Sequence, residues 1–319
     1  MSLRPAPDAV RTVAVVGTGV IGGGWAAHFL RMGYDVVAWD PSPRGAARLE
    51  GLLDRAWPTL EKLGLRPGAS RDRLRFAGTL RSAVADADFV QESSPEVLAA
   101  KVALLAEIDR ATRPDVVVGS STSGFRMSEL AVGCSTPGRF VVGHPFNPVY
   151  LIPLVEVVGG VETKPETVEW ADAFYALAGK VCLTMDHEVS GFVGNRLQEA
   201  LWREALHMID SGEATAQQID ASIAHGPGLR WALMGPILTF HLAGGAGGMA
   251  HMLDQFGPAL LEPWTRLEAP LLTPELRDRV VSGALEEAGG MTVSELEERR
   301  DAFLVDLLLL LESHRVRHG

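Results

Sequence analysis

The stretch RFVVGHPFNPVYLIPLVEVVGG (139–160) is apolar except for Arg139, His144, Asn147, Tyr150 and Glu156. Charged groups in buried strands are costly unless they are paired. His144 closes one strand-like run and Glu156 lies within the next, LVEVV. If the segment between them turns back, an antiparallel return sets the carboxylate beside the imidazole. Such a partner fixes the ring tautomer and stabilises the imidazolium. A positioned base of this kind can take a proton from a hydroxyl. The plainer alternative is a buried ion pair that serves only the fold.

A second group of residues suggests what the base would work with. TVAVVGTGVIGGGWAAHFL (12–30) holds Gly17, Gly19 and Gly22 in the spacing G-x-G-x-x-G, directly after a strand-like run and opening an apolar helix. That context marks a dinucleotide-binding turn. Gly17 permits the tight turn, Gly19 lets the backbone approach a pyrophosphate, and Gly22 lets helix and strand pack closely. Val20 and Ile21 complete the loop, whose helix N-terminus favours phosphate. Asp40 ends the second strand, placed to accept hydrogen bonds from ribose hydroxyls and to repel a 2′-phosphate. The expected cofactor is therefore NAD rather than NADP, with Arg44 nearby as an opposing charge.

A serine hydrolase is the competing chemistry, because GSSTSG (119–124) supplies several serines. The order Ser…His…Glu differs from that of α/β-hydrolases, and G-x-S-x-G is absent. A serine after a sheet strand, beside a nicotinamide, reads better as a hydrogen-bond partner of a substrate oxygen. The nine histidines show no metal-ligand spacing, and hydride transfer with a histidine base needs no metal.

These groups need a frame to hold them. TVAVV (12–16), DVVAWD (35–40), DFVQE (88–92), DVVVGSS (115–121) and FVVGHPF (140–146) are strand candidates, separated by amphipathic stretches such as PEVLAAKVALLAEIDRA (95–111). Strands alternating with helices imply a parallel sheet covered on both faces. Beyond Glu188 helical periodicity takes over, and Thr215-x-x-Gln218 and Thr292-x-x-Glu295 have the form of capping boxes. The expected fold class is α/β, a Rossmann-type doubly wound sheet (1–187) followed by an all-helical C-terminal domain (188–319), with a hinge near HEVSG (187–191). Two domains suit 319 residues.

A formal charge of −11 argues against a nucleic-acid partner. Two cysteines far apart, Cys134 and Cys182, fit a reducing cytoplasm better than a disulfide framework. FLVDLLLLL (303–311) is about half the ~20 residues that span a bilayer, so a terminal helix buried against a partner is expected rather than a membrane anchor.

In this order, VVGTGVIGGGWA, QESSPE, SSTSG, GHPFNP…LVEVV and GFVGNRL resemble the 3-hydroxyacyl-CoA dehydrogenase family over essentially the whole chain. The resemblance implies that His144 and Glu156 form the catalytic pair, and that Ser123 and Asn195 bind the reacting oxygen. It places Glu92, with Lys101 further along the segment, near the cofactor, and it implies a homodimer formed through the helical domain. Four further segments look most like the branch that oxidises L-carnitine: HPFNPVYLIPLVEVVGG, LQEALWREALHMID, GPGLRWALMGPILTFHLAGG and FGPALLEPWTRL. The lambda-crystallin branch, which includes L-gulonate 3-dehydrogenase, is second. RGAARLEGLLDRAWPTLEKLG (44–64) mixes acidic residues among its basic ones, which disfavours a CoA-phosphate surface.

The expected activity is NAD-dependent oxidation of the 3-hydroxyl of a small 3-hydroxy acid, L-carnitine first, with gulonate or a 3-hydroxyacyl-CoA as alternatives. A quaternary ammonium is attracted to aromatic faces. Phe146 and Phe192 are the first candidates for that role, followed by Trp202 and Trp231, while Asn147 and Arg230 are candidates for the substrate's polar groups. A non-catalytic nucleotide-binding protein is the contrasting reading, and the complete His144, Glu156, Ser123 and Asn195 set disfavours it.

Overall fold

Valine-rich runs with no polar face form the centre of this fold, because a parallel strand is buried on both sides. The computed structural model describes residues 4–257, 265, 266, 268 and 270–318. Most of FGPALLEPWTRL (256–267) lies outside the described residues. Two compact units are present, one formed by the chain up to Asn195 with Leu304–Asp306, the other by the remaining residues from Arg196 onward.

The first unit holds an eight-stranded sheet. Its strands are β1 (Thr12–Val16), β2 (Asp35–Trp39), β3 (Leu74–Phe76), β4 (Phe89–Glu92), β5 (Val117–Ser120), β6 (Phe140–Pro145), β7 (Leu154–Gly159) and β8 (Val181–Met185). The order is β3-β2-β1-β4-β5-β6-β7-β8. The first six strands follow the doubly wound dinucleotide-binding order. They are mutually parallel, and β7 returns antiparallel to β6 with β8 parallel to β7. Helices α1 (Val20–Arg31), α2 (Gly45–Leu63), α3 (Leu80–Val84), α4 (Leu98–Ala111), α5 (Met127–Leu130) and α6 (Pro165–Leu177) accompany the strands. One core lies on each face of the sheet. Trp25, Phe29, Phe89, Phe174 and Tyr175 fill the first, and Leu105, Ile108, Met127, Leu130 and Phe140 belong to the second.

The second unit takes its helices from α7 (Phe192–Ser211), whose first turn belongs to the sheet unit, and from α8 (Ala216–Ala224), α9 (Pro227–Trp231), α10 (Pro236–Ala243), α11 (Gly248–Phe256), α12 (Pro274–Ala288) and α13 (Val293–His318). No strand occurs there among the described residues. Both capping boxes form. The Thr215 and Gln218 side chains each accept the other's backbone N–H at 3.2 and 3.0 Å, and Thr292 and Glu295 do the same. Gly283 lets α12 close on Ala216 of α8, where a Cβ would stand 2.8 Å from the alanine methyl. Among the described residues no helix is long and apolar enough to cross a membrane.

The turn joining β6 to β7 is tied down by Lys180. Its ammonium is buried, donates to the carbonyls of Val149 and Ile152, and lies 5.1 Å from the centre of the Trp25 ring. Burial, with Arg31 adding repulsion and Cys182 opposing, pulls its pKa down to about 7. The neighbouring His28, held at Nε2 by the Ala178 carbonyl, is also buried and pushed well below its ordinary value. A lysine depressed from 10.5 binds fewer protons folded than unfolded between about pH 7 and 10.5. Stability must therefore rise with pH across that window. Cys134 and Cys182, pushed up to about 12 by burial, act in the opposite sense only above about pH 9. Thermal unfolding at pH 7–9 should show the rise in the native chain and a flatter profile in Lys180→Met. Parallel profiles in the two proteins would mean that Lys180 does not titrate there.

Candidate active site

Backbone geometry builds the cofactor cleft. Gly17 sits at φ +92°, and a Cβ there would lie 2.6 Å from the Ser93 carbonyl oxygen. A Cβ on Gly22 would lie 1.8 Å from the Gly17 carbonyl oxygen, so the loop and α1 meet only because residue 22 lacks a side chain. At Gly19 a Cβ would meet no protein atom within 4 Å, which leaves the loop backbone open to a phosphate. A cleft of about 1050 Å³ lies over this loop. Gly17, Gly19, Val20 and Ile21 line it, as do Asp40 at the end of β2 and His144 at the end of β6. Those two strands are four positions apart in the sheet, roughly 19 Å at ~4.8 Å per strand, a span that suits a dinucleotide.

Asp40 also anchors the loop it faces. Its Oδ2 accepts from the Thr18 amide at 2.8 Å, the Thr18 hydroxyl at 3.1 Å and Arg48 at 3.1 Å, and Oδ1 accepts from the Ser42 amide at 2.8 Å. Burial raises this carboxyl, but those bonds outweigh it and hold the pKa below the ordinary carboxylate value. Oδ1 keeps a lone pair for a ribose hydroxyl. The basic residue that meets Asp40 is Arg48, one helical turn beyond the Arg44 that stands out in the sequence.

His144 and Glu156 are directly opposed across the antiparallel pair. The imidazole Nδ1 lies 2.8 Å from Glu156 Oε2, with His144 5% exposed and Glu156 fully buried. A carboxylate only accepts, so Nδ1 carries the hydrogen and Nε2 presents its lone pair. Glu156 Oε1 accepts the amides of Val193 and Gly194, in the first turn of α7, at 2.9 and 2.8 Å. Burial raises the Glu156 carboxyl, and the bonds from His144, Gly194 and Val193 more than reverse this, so the net shift is downward. A single ionised side chain thus orients the imidazole and pins the helix that follows.

That helix carries Asn195, whose Nδ2 donates to the Ser123 carbonyl at 2.7 Å. Ser123 is exposed in the loop after β5 and lines the cleft with His144. No hydrogen bond joins His144 to Ser120, Ser121 or Ser123 among the described residues, and a serine nucleophile needs that bond to its base.

Of the two glutamates in QESSPE, Glu96 lines the cleft, whereas Glu92, the one expected there from the sequence, does not. Glu92 and Lys101 are 0% and 1% exposed, pair at 3.0 Å beneath the cleft, and do not line it. Ser94 and Ser120 supply further bonds to Glu92 at 2.5 Å each. One oxygen of Glu96 accepts from the Thr122 hydroxyl at 2.6 Å and from the Ser123 and Gly124 amides at 2.9 and 3.1 Å, so this carboxylate shapes the Ser123 loop. QESSPE contains both glutamates, and nothing local separates the buried one from the exposed one. Phe192 also departs from expectation. It is 1% exposed at φ +53° and packs in the core, 5.2 Å from the His144 ring. Phe146 is half-buried with its ring 4.9 Å from the imidazole, and Asn147 beside it is exposed. Arg230 and Trp231 lie on α9 of the second unit, exposed and half-buried respectively.

A doubly wound sheet, a glycine loop with an acid at the second strand, and a carboxylate-held histidine over the same cleft define an NAD-dependent dehydrogenase. The chain belongs to the 3-hydroxyacyl-CoA dehydrogenase family. The family's NAD binding domain matches residues 12–189 and its C-terminal domain matches residues 191–286. The L-carnitine dehydrogenase of Nocardiopsis dassonvillei is 62% identical over 97% of this chain and 94% of its own length. That of Bacillus cereus is 53% identical over 96% of this chain and 94% of its own length. Among solved structures, the NAD+ dependent 5-formyl-3-hydroxy-2-methylpyridine 4-carboxylic acid 5-dehydrogenase superposes with a TM-score of 0.82 at 28% identity. It covers 95% of this chain and 99% of that one. When bound in such a cleft, NAD supplies a hydride acceptor.

Proposed function

We propose that this protein oxidises the 3-hydroxyl of L-carnitine to the ketone, giving 3-dehydrocarnitine with NAD as acceptor. The observation that carries this reading is the near full-length identity to L-carnitine dehydrogenases, at 62% in the first of them. His144 Nε2 takes the hydroxyl proton, Glu156 stabilises the imidazolium that results, and Ser123 with Asn195 holds the reacting oxygen. Phe146, half-buried against the imidazole, offers its face to the quaternary ammonium, an attraction of ~2 kcal/mol or more once desolvated. Residues 1–187 bind the cofactor, and 188–319 supply the substrate and dimer surfaces. Large exposed apolar side chains in the second unit, among them Trp202, Ile237, Phe240 and Phe303, support burial against a second copy. The absence of a membrane-spanning helix among the described residues and the two free cysteines fit a cytoplasmic enzyme.

The test is NADH formation from L-carnitine, L-gulonate, 3-hydroxybutyrate and 3-hydroxybutyryl-CoA, with the same preparation run by sedimentation velocity. Carnitine should have the highest kcat/KM, and the protein should sediment as a dimer. A folded, NADH-binding protein that prefers another member of the panel refutes the substrate assignment, and a monomer at assay concentration refutes the assembly.

A further inference from the structure

A run of hydrogen bonds crosses from the core of the sheet unit to the floor of the cleft. Tyr175 of α6 enters where β5 and β6 carry glycine, since a Cβ on Gly119 or Gly143 would lie 2.6 or 2.0 Å from its hydroxyl oxygen. That hydroxyl donates to Gln91 Oε1 at 2.6 Å, while Gln91 Nε2 donates to Ser121 Oγ at 2.8 Å and faces the Gly143 carbonyl at 3.5 Å. The Trp25 indole donates to the same Ser121 oxygen at 3.1 Å, and Ser93 Oγ lies 2.9 Å from it. Trp25, Gln91 and Tyr175 are fully buried, whereas Ser93 and Ser121 line the cleft.

Counting donors and acceptors gives this run a single direction. A carbonyl only accepts, so the end of Gln91 that faces Gly143 is its NH2, and its oxygen faces the tyrosine. An indole only donates. The two lone pairs of Ser121 are therefore taken by Trp25 and Gln91, and its one hydrogen goes to Ser93. Ser93 Oγ has no other partner among the described residues, so its own hydrogen is left for a ligand in the cleft.

We infer that Ser93 binds the dinucleotide and that Gln91 and Tyr175 are positioning residues, which hold Ser93 as a hydrogen-bond donor from within the core. The acceptor is an oxygen of NAD, because Ser93 stands against the glycine loop. A Cβ on Gly22 would lie 3.1 Å from the Ser93 Cβ, and one on Gly17 would lie 2.6 Å from the Ser93 carbonyl oxygen. Its strand, β4, is midway in the sheet between β2, which leads to Asp40, and β6, which carries His144. The assignment rests on the NAD-cleft reading and is independent of which hydroxy acid is oxidised.

Fluorescence titration with NADH, without substrate, tests both parts. Ser93→Ala should weaken NADH binding about 3–10-fold, the worth of one hydrogen bond. Gln91→Glu, titrated at alkaline pH where the new carboxyl is ionised, sets an acceptor against Ser121. Ser121 must then donate to it and accept from Ser93, which withdraws the Ser93 hydrogen from the cleft. That variant should bind NADH at least as weakly as Ser93→Ala, and adding Ser93→Ala to it should cost nothing more. Native affinity in Ser93→Ala removes the binding role. A full further loss on combining the two changes means that the new charge acts by repulsion alone, and the positioning role falls. If Gln91→Glu does not fold, Tyr175→Phe takes its place, since the amide loses the donor that holds its oxygen and is released to turn. The cost of Ser93→Ala must then be smaller than in the native chain, and an equal cost overturns the assignment.

Discussion

His144→Gln is expected to lose turnover by ~10²–10⁴-fold, the contribution a positioned proton acceptor makes, with NADH affinity within about threefold of native. Glutamine has nearly the volume of the imidazole but no basic nitrogen at neutral pH, so the hydroxyl proton has no acceptor as hydride departs. The glycine loop and Asp40, the groups proposed to hold the cofactor, make no hydrogen bond to residue 144 among the described residues. Single-turnover rates at saturating NAD, with NADH titration as the control, separate the two effects. Near-native turnover in this variant would remove the mechanism.

Glu156→Gln should lose turnover within the same ~10²–10⁴-fold range, although only one oxygen is replaced. Oε1 already accepts two amide hydrogens from the start of α7, and Oε2 accepts from Nδ1. A glutamine must turn one NH2 toward one of these sites. Turned toward α7, it faces two donors and strands them, at a cost of ~1–3 kcal/mol for each buried group left unsatisfied. Turned toward the ring, it makes Nδ1 an acceptor and moves the hydrogen to Nε2, the nitrogen that must take the substrate proton. The second arrangement keeps α7 anchored, so the variant should stay folded, bind NADH and turn over poorly. Combined with His144→Gln, the losses should fall well short of additive, since the pair acts as a unit. Full additivity would mean that Glu156 serves α7 alone. A thermal midpoint that collapses in Glu156→Gln, with turnover per folded molecule preserved, would also sink this account.

What could be read in the sequence was whatever a local period or a fixed spacing records. The valine runs of β1, β2, β4, β5 and β6 announce buried strands, and G-x-G-x-x-G between strand and helix announces the phosphate turn. The spacing of His144 and Glu156 announces a hairpin pair, and the two Thr-led boxes announce helix starts. Each is decided within about twenty residues by backbone sterics and alternation. β3 and β8 were not legible, because LRF is three residues long and VCLTM lies at the edge of the sheet, largely exposed. Neither carries the continuous burial that marks a central strand.

Tertiary structure decided the rest, because burial is a property of what arrives from elsewhere in the chain. It buried Glu92, at the end of β4, against Lys101 and left Glu96, four residues on, at the cleft to shape the Ser123 loop. It turned Phe192 into the core and left Phe146 half-exposed beside the base. It chose Arg48, in the first turn of α2, over Arg44, the residue that caps that helix, as the partner of Asp40. It also gave Glu156 a second duty on α7, thirty-seven and thirty-eight residues away. The sequence by itself determined the fold class, the NAD loop and the histidine–glutamate pair. Which neighbouring side chains complete the site was settled only when strands and helices packed, because side-chain direction and desolvation are fixed by packing and not by sequence spacing.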